Sequence, residues 1–142
     1  MAHKHIKVNI DFSQTPPVWT FTGDVDPGNC QVVTVPANTK INIKWTLKAK
    51  PGAGNTCVFS QVDATGNGVP GIEFIGGAED PWASGTAPTL VYEDGDTSAR
   101  IKDDNETQNN DLLHHYYRVN VMWNGTLISQ DPEVDEQGGG TL

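Results

Sequence analysis

The chain has 142 residues, enough for one domain with a real core, and 36% of them are hydrophobic. Fifteen glycines and nine prolines fit a loop-rich β-fold better than a helical bundle. A formal net charge of −9 repels phosphate backbones and anionic lipid, which sets nucleic-acid and membrane-surface roles aside.

His3, Lys4 and His5 run straight into an alternating segment with no apolar leader before it, so the expected compartment is the cytoplasm, with unconventional export as the alternative. In that segment Ile6, Val8, Ile10 and Phe12 alternate with Lys7, Asn9 and Asp11, the period-two pattern of a half-buried strand. Pro16-Pro17 punctuates it. Residues 18–22 then read as a second strand, with Trp19 and Phe21 capping one edge. Residues 30–35 follow the Asp26-Pro27-Gly28 turn as a third. Residues 40–48 repeat the first pattern: Ile41, Ile43, Trp45 and Leu47 alternate with Lys40, Asn42, Lys44, Thr46 and Lys48. A lysine row on such a strand reads first as edge or surface protection against aggregation.

Shorter strand signals follow at residues 57–62, 72–75, 89–92 and 98–102, separated by glycine, proline and aspartate turns. Between them, residues 76–88 (GGAEDPWASGTAP) form a long loop of the kind that often carries function. Residues 103–111 (DDNETQNND) read as a polar excursion. The clearest hairpin comes next. Tyr117, Val119, Val121 and Trp123 share one face, and Tyr116, Arg118, Asn120 and Met122 the other. Asn124-Gly125 supplies the two positive-φ positions of a type I′ turn, pairing Trp123 with Thr126 and Val121 with Ile128. Asp131-Pro132 is expected to stop the ladder, because Pro132 has no N–H. The Asp131 carboxylate is expected to lock the last strand by accepting turn N–H groups. Residues 135–142 read as a flexible Gly-rich tail, leaving residues 1–134 as a single domain.

No window carries a helical stripe, so the pattern predicts an all-β fold, an antiparallel β-sandwich. Its outline is immunoglobulin-like, or cupredoxin-like without the copper site, because neither Cys30 nor Cys57 has a nearby histidine. Two reduced, buried thiols are expected rather than a disulfide.

Four constellations bear on chemistry. His3 and His5 share a strand face, and His114 and His115 open the penultimate strand. If those strands are neighbours, imidazoles converge in a way that suits zinc or copper. Asp94 and Asp96, like the other acidic loops, suit calcium in type but lack the spacing of a known calcium loop. Trp82, beside Asp80 in the long loop, is either an anchor for a sugar ring or a plug for one end of the sandwich. No nucleophile elbow or phosphate-cradling loop occurs, so neither enzymatic activity nor a cofactor is expected.

The run Tyr117-x-Val119-x-Val121, then Asn124-Gly125, then Asp131-Pro132-Glu133-Val134 resembles the C-terminal end of the small bacterial proteins called the DP-EP family. It is similar, more loosely, to bacterial inclusion-body proteins of the PixA/AidA type. The resemblance implies bacterial origin and carries over no catalytic residue. The expected function is therefore a non-enzymatic binding or assembly module. Its partner would be another protein or a second copy of itself. A glycan-binding module using Trp82, Asp80, Asp94 and Asp96, and a metalloprotein using the four histidines, are the alternatives.

Overall fold

A computed structural model describes residues 2–26, 32–35, 39–77, 90–105 and 113–136. Among the described residues the fold is all-β, with eleven strands in two sheets. The first sheet contains β1 (Ala2–Asp11), β2 (Val18–Gly23), β4 (Thr39–Ala49), β7 (Val91–Glu93) and β8 (Ser98–Asn105), in the order β2-β1-β4-β8-β7. The second contains β3 (Val32–Val35), β5 (Cys57–Phe59), β6 (Ile72–Gly77), β9 (Leu113–Trp123), β10 (Thr126–Gln130) and β11 (Glu133–Glu136). Its path is β10-β9-β11-β3, with β5 and β6 both paired to β9.

The alternation read from the sequence is the alternation of burial. Ile6, Val8 and Ile10 of β1, Ile41, Ile43, Trp45 and Leu47 of β4, and Ala99 and Ile101 of β8 face inward from the first sheet. They meet Val33, Val35, Phe59, Ile72, Tyr117, Val119 and Val121 from the second in one common core. At its centre the Trp45 Nε1–H donates to the Tyr117 hydroxyl at 3.2 Å, and the two rings meet edge-on with centroids 5.5 Å apart. An indole N–H in so dry a place needs that acceptor. Trp123 is only half-buried; its ring stacks on Phe12 at 4.5 Å at the margin of the core.

Several expectations require correction. The sheets are mixed rather than wholly antiparallel: β1 pairs β4 in parallel (Ile6 opposite Trp45), and β11 pairs β3 in parallel. Two equally amphipathic strands far apart in sequence satisfy the core in either direction, so the pattern does not choose between them. Residues 103–105 of the expected excursion belong to β8, which runs to Asn105 and pairs it with Thr39; the rest of it lies outside the described residues. The strand assigned to 57–62 ends at Phe59. Its continuation leaves the sheet over the outer face of β9, where Asn120 is buried despite its polar character. The Asn120 N–H donates to the Gly71 carbonyl, its carbonyl accepts the Ser60 N–H, and its side-chain amide donates to the Pro70 carbonyl at 2.9 Å. The Ser129 hydroxyl completes the set by donating to Asn120 Oδ1 at 2.6 Å.

Asp131-Pro132 ends β10 at Gln130 but interrupts the ladder for two residues only. Gln130 lies opposite Val119 and Glu133 opposite Tyr116, so β10 and β11 keep one register across the proline. Pro132 forfeits one donor only; its carbonyl still accepts the Tyr117 N–H at 3.2 Å. The ordered chain accordingly runs past residue 134: Asp135 and Glu136 belong to β11, paired with β9 on one side and β3 on the other. Residues 137–142 lie outside the described residues.

Substituting Tyr117→Phe should leave the Trp45 N–H buried without its acceptor, at a cost of about 1–3 kcal/mol. A urea unfolding curve with a lowered midpoint and an unchanged slope is the expected result.

Candidate functional site

The strongest concentration of unbalanced chemistry lies on the outer face of the first sheet. The parallel pairing of β1 with β4 sets His5 beside Lys44, Lys7 beside Thr46 and Asn9 beside Lys48. The antiparallel pairing of β4 with β8 adds Arg100 beside Lys44. Since Ile6, Val8, Ile43, Trp45 and Ala99 point inward, the residues alternating with them point out. Of the nine lysines and arginines in the chain, Arg118 alone belongs to the other sheet. The rest lie in β1, β4 and β8 or, for Lys50, just after β4.

This removes the edge half of the reading of the lysine row as edge or surface protection. β1 and β4 are interior strands of their sheet, so these lysines guard no edge. Nor are they neutralised by neighbours. Arg100 is paired with Glu93 at 2.8 Å, but among the described residues no carboxylate lies within ion-pair distance of Lys7, Lys44 or Lys48. Like charges directly across a sheet disfavour folding by roughly 0.2–1 kcal/mol per pair, and Lys44 meets Arg100 in this way.

His5 sits within this field. Its Nε2 is 2.6 Å from the Thr46 hydroxyl, and its backbone N–H donates to Asp24 Oδ2 at 2.8 Å. Partial desolvation, then Lys44 and Lys7, hold its pKa below the ordinary histidine value, against the smaller opposing pull of Asp24. The Asn9 amide, next to Lys7, donates to the Thr22 hydroxyl at 3.1 Å and to the Thr20 carbonyl at 3.2 Å. At one end of the face Asn9, Asp11, Phe12, Val18, Thr20, Lys48 and Lys50 line an open groove of about 210 Å³. Asp11 there is occupied by Ser13, whose hydroxyl and N–H both donate to it and lower its pKa.

The candidate ligands among the described residues lie on β1, on β9 and in the β7–β8 turn. His3 and His5 do share the outer face of β1, both exposed. His114 and His115 lie in β9, opposite Asp135 and Val134 of β11. Because β1 and β9 belong to different sheets, the strand adjacency needed for converging imidazoles does not exist. Among the described residues no group of three or more His, Cys, Asp or Glu is placed to hold a metal ion. Asp80 and Trp82 lie outside the described residues, as does Cys30. Asp94 and Asp96 flank Gly95 in the β7–β8 turn, all three with positive φ, a conformation that aspartate tolerates better than most residues. Their backbones are used structurally: the Asp94 carbonyl accepts the Thr97 hydroxyl at 2.8 Å, and the Asp96 carbonyl accepts the Phe59 N–H at 2.8 Å.

Asn124 (φ 50°) and Gly125 (φ 80°) form the expected turn. Asn124 does more than turn the chain: its Oδ1 accepts the Thr56 N–H and its Nδ2 donates to Asn55 Oδ1, both at 2.9 Å, tying the approach to β5 onto the hairpin. Asp131 bonds to a side chain instead of turn N–H groups: its carboxylate accepts Arg118 Nε–H at 2.9 Å. The position of Arg118 follows from the hairpin register carried through Pro132, which sets residue 118 opposite 131. Cys57 is a buried free thiol, and burial pushes its pKa up to about 11.

No family model and no curated protein matches this sequence. No helix among the described residues is long and apolar enough to cross a membrane.

Two measurements check these assignments. The Arg118–Asp131 pair is exposed, with side-chain accessibilities of 39% and 56%, so Asp131→Ala should cost no more than about 1 kcal/mol in urea unfolding. A loss of several kcal/mol would restore Asp131 as a lock. In a Cys30→Ser variant, Cys57 should resist a disulfide reagent at about pH 8 until denaturant opens the chain.

Proposed function

We propose that this protein is a non-enzymatic binding module that works through the outer face of its five-stranded sheet, and that the partner is an acidic surface of another protein. The observation that carries this reading is the grouping of Lys7, Lys44 and Lys48 on interior strands, without carboxylate partners among the described residues, in a chain of net charge −9. Folding gains nothing from gathering like charges at the centre of a sheet. A docked carboxylate turns that cost into attraction, and local rules are most often broken where a protein functions. The neighbouring Thr20, Thr46 and Asn42 positions add hydroxyl and amide groups between the cations. The DP-EP resemblance of residues 117–134 agrees with this reading in carrying over no catalytic residue.

The test is a titration of a fluorescent oligo-glutamate peptide at low salt. Wild-type protein should bind it, and the Lys44→Glu/Lys48→Glu variant should bind at least about tenfold more weakly, the loss expected for about 1.4 kcal/mol. Binding should also strengthen as the pH falls through the lowered pKa of His5, below about 6.5, because a charged imidazole adds to the face; His5→Gln should weaken that dependence. Equal affinity of wild-type and charge-reversed protein would refute the assignment of the face.

A further inference from the structure

The second sheet offers a different surface, with a different occupant. β10 is paired on one side only, with β9. The two-residue turn closes on the pair Trp123–Thr126, so the N–H and C=O groups of Thr126, Ile128 and Gln130 point to β9. Those of Leu127 and Ser129 point the other way, to an edge that no described strand covers. Native edges of this kind are usually guarded by a charge, a proline or a bulge. β10 reads Thr-Leu-Ile-Ser-Gln, with none of these, and pairs without register shift. Leu127 is 46% exposed and continues a row with Met122 and Val58 across three strands.

We infer that β10 is the self-association edge of this protein, pairing antiparallel with β10 of a second copy. The occupant follows from symmetry. A two-fold interface sets a patch against itself, so any charge near the axis meets its own sign. The basic face of the first sheet is excluded on that ground. β2, the other long edge, carries no charge of its own, but Lys48, Lys50 and Asp11 line the groove beside its Val18 and Thr20. β7 is short and bears the Glu93–Arg100 pair. Of these three edges, β10 bears no charge of its own, no described strand covers it, and Leu127 and Met122 flank it. The outward groups fix the register: Ile128 lies on the two-fold axis, and Leu127 of each copy exchanges both backbone hydrogen bonds with Ser129 of the other. The dimer leaves the basic faces, which belong to the other sheet, free on both copies. This inference does not depend on what those faces bind.

The experiment is sedimentation equilibrium of the full chain over a concentration series. Wild-type protein should reach about twice the chain mass of 15.3 kDa. Its dissociation constant should fall as sodium chloride rises from about 0.02 M to about 0.5 M, because salt screens the repulsion between two acidic bodies and no attraction between charges is lost. Leu127→Pro removes an outward N–H and no bond to β9, and Leu127→Lys places a charge beside the axis. Either should give a monomer with an unchanged circular dichroism spectrum, and the lysine variant decides the matter if the proline variant fails to fold. Thr20→Lys on β2 should remain dimeric. A wild-type monomer throughout the series overturns the inference, as does a dimer that survives Leu127→Lys or one that Thr20→Lys abolishes.

Discussion

The register of β9 governs the second sheet. This eleven-residue strand hydrogen-bonds β10 and β11 on one side and β5 and β6 on the other, and among the described strands β3 pairs with β11. Side chains alternate with period two, so a slip of one residue would turn Tyr117, Val119 and Val121 out to water and bring Arg118 and Asn120 in. The two interactions that pin the strand are of opposite character. Inside, the Tyr117 hydroxyl takes the Trp45 N–H from the facing sheet. Outside, Asn120 fills its hydrogen-bonding capacity with the Pro70 carbonyl, Glu73 and Ser129. A shifted strand would leave both sets unpaired in places that water does not reach, which is costlier than the pairs are stabilising.

Asn120 also explains why two strands share one edge of β9. Between Phe59 and Ile72 the chain leaves the sheet, and Asn120 closes the gap by bonding Ser60 on one side and Gly71 on the other. The excursion has order of its own: the Asp63 carboxylate accepts from the Thr65 hydroxyl at 2.6 Å and from the Thr65 and Asn67 N–H groups at 2.9 Å. Those bonds, the Thr65 hydroxyl first, hold its pKa low. At the far end Gly71 donates to the Tyr92 hydroxyl at 2.9 Å, which joins this corner to the edge strand of the facing sheet.

Where the periodicity was strong, the fold was legible from residues alone. The inward sets of β1 and β4 and the hairpin pairs 123–126 and 121–128 stand where the alternation places them. Local pattern carries no information about what lies beside a strand, however, and the misreadings share that cause. It could not show that β1 and β4 run parallel and adjacent, so the lysines read as edge guards when they are the middle of a face. For the same reason it could not separate β1 from β9, on which the histidine cluster depended. Pro132 was misjudged for a different reason: a proline deletes one donor, whereas a ladder is held by many bonds and by side-chain register. The hairpin sum that sets 123 opposite 126 also sets 118 opposite 131. Extended three residues past 128 the sum reaches the ion pair, and extended five it reaches the first residue of β11.

The two outer surfaces impose different rules on whatever approaches them. Seen from far away, the molecule is an acidic body, and its net charge turns polyanions back. Within about one Debye length, roughly 8 Å at physiological ionic strength, the field is that of the nearest groups, and over the first sheet these are Lys7, Lys44 and Lys48. A long polyanion feels both regimes at once, because whatever extends beyond the face lies over acidic surface. A short acidic segment feels only the second. On the function proposed above, the same distribution would favour compact acidic partners over nucleic acid without any contact that reads sequence. On the self-association inferred above, two such molecules would meet at β10, whose own residues carry no charge of either sign.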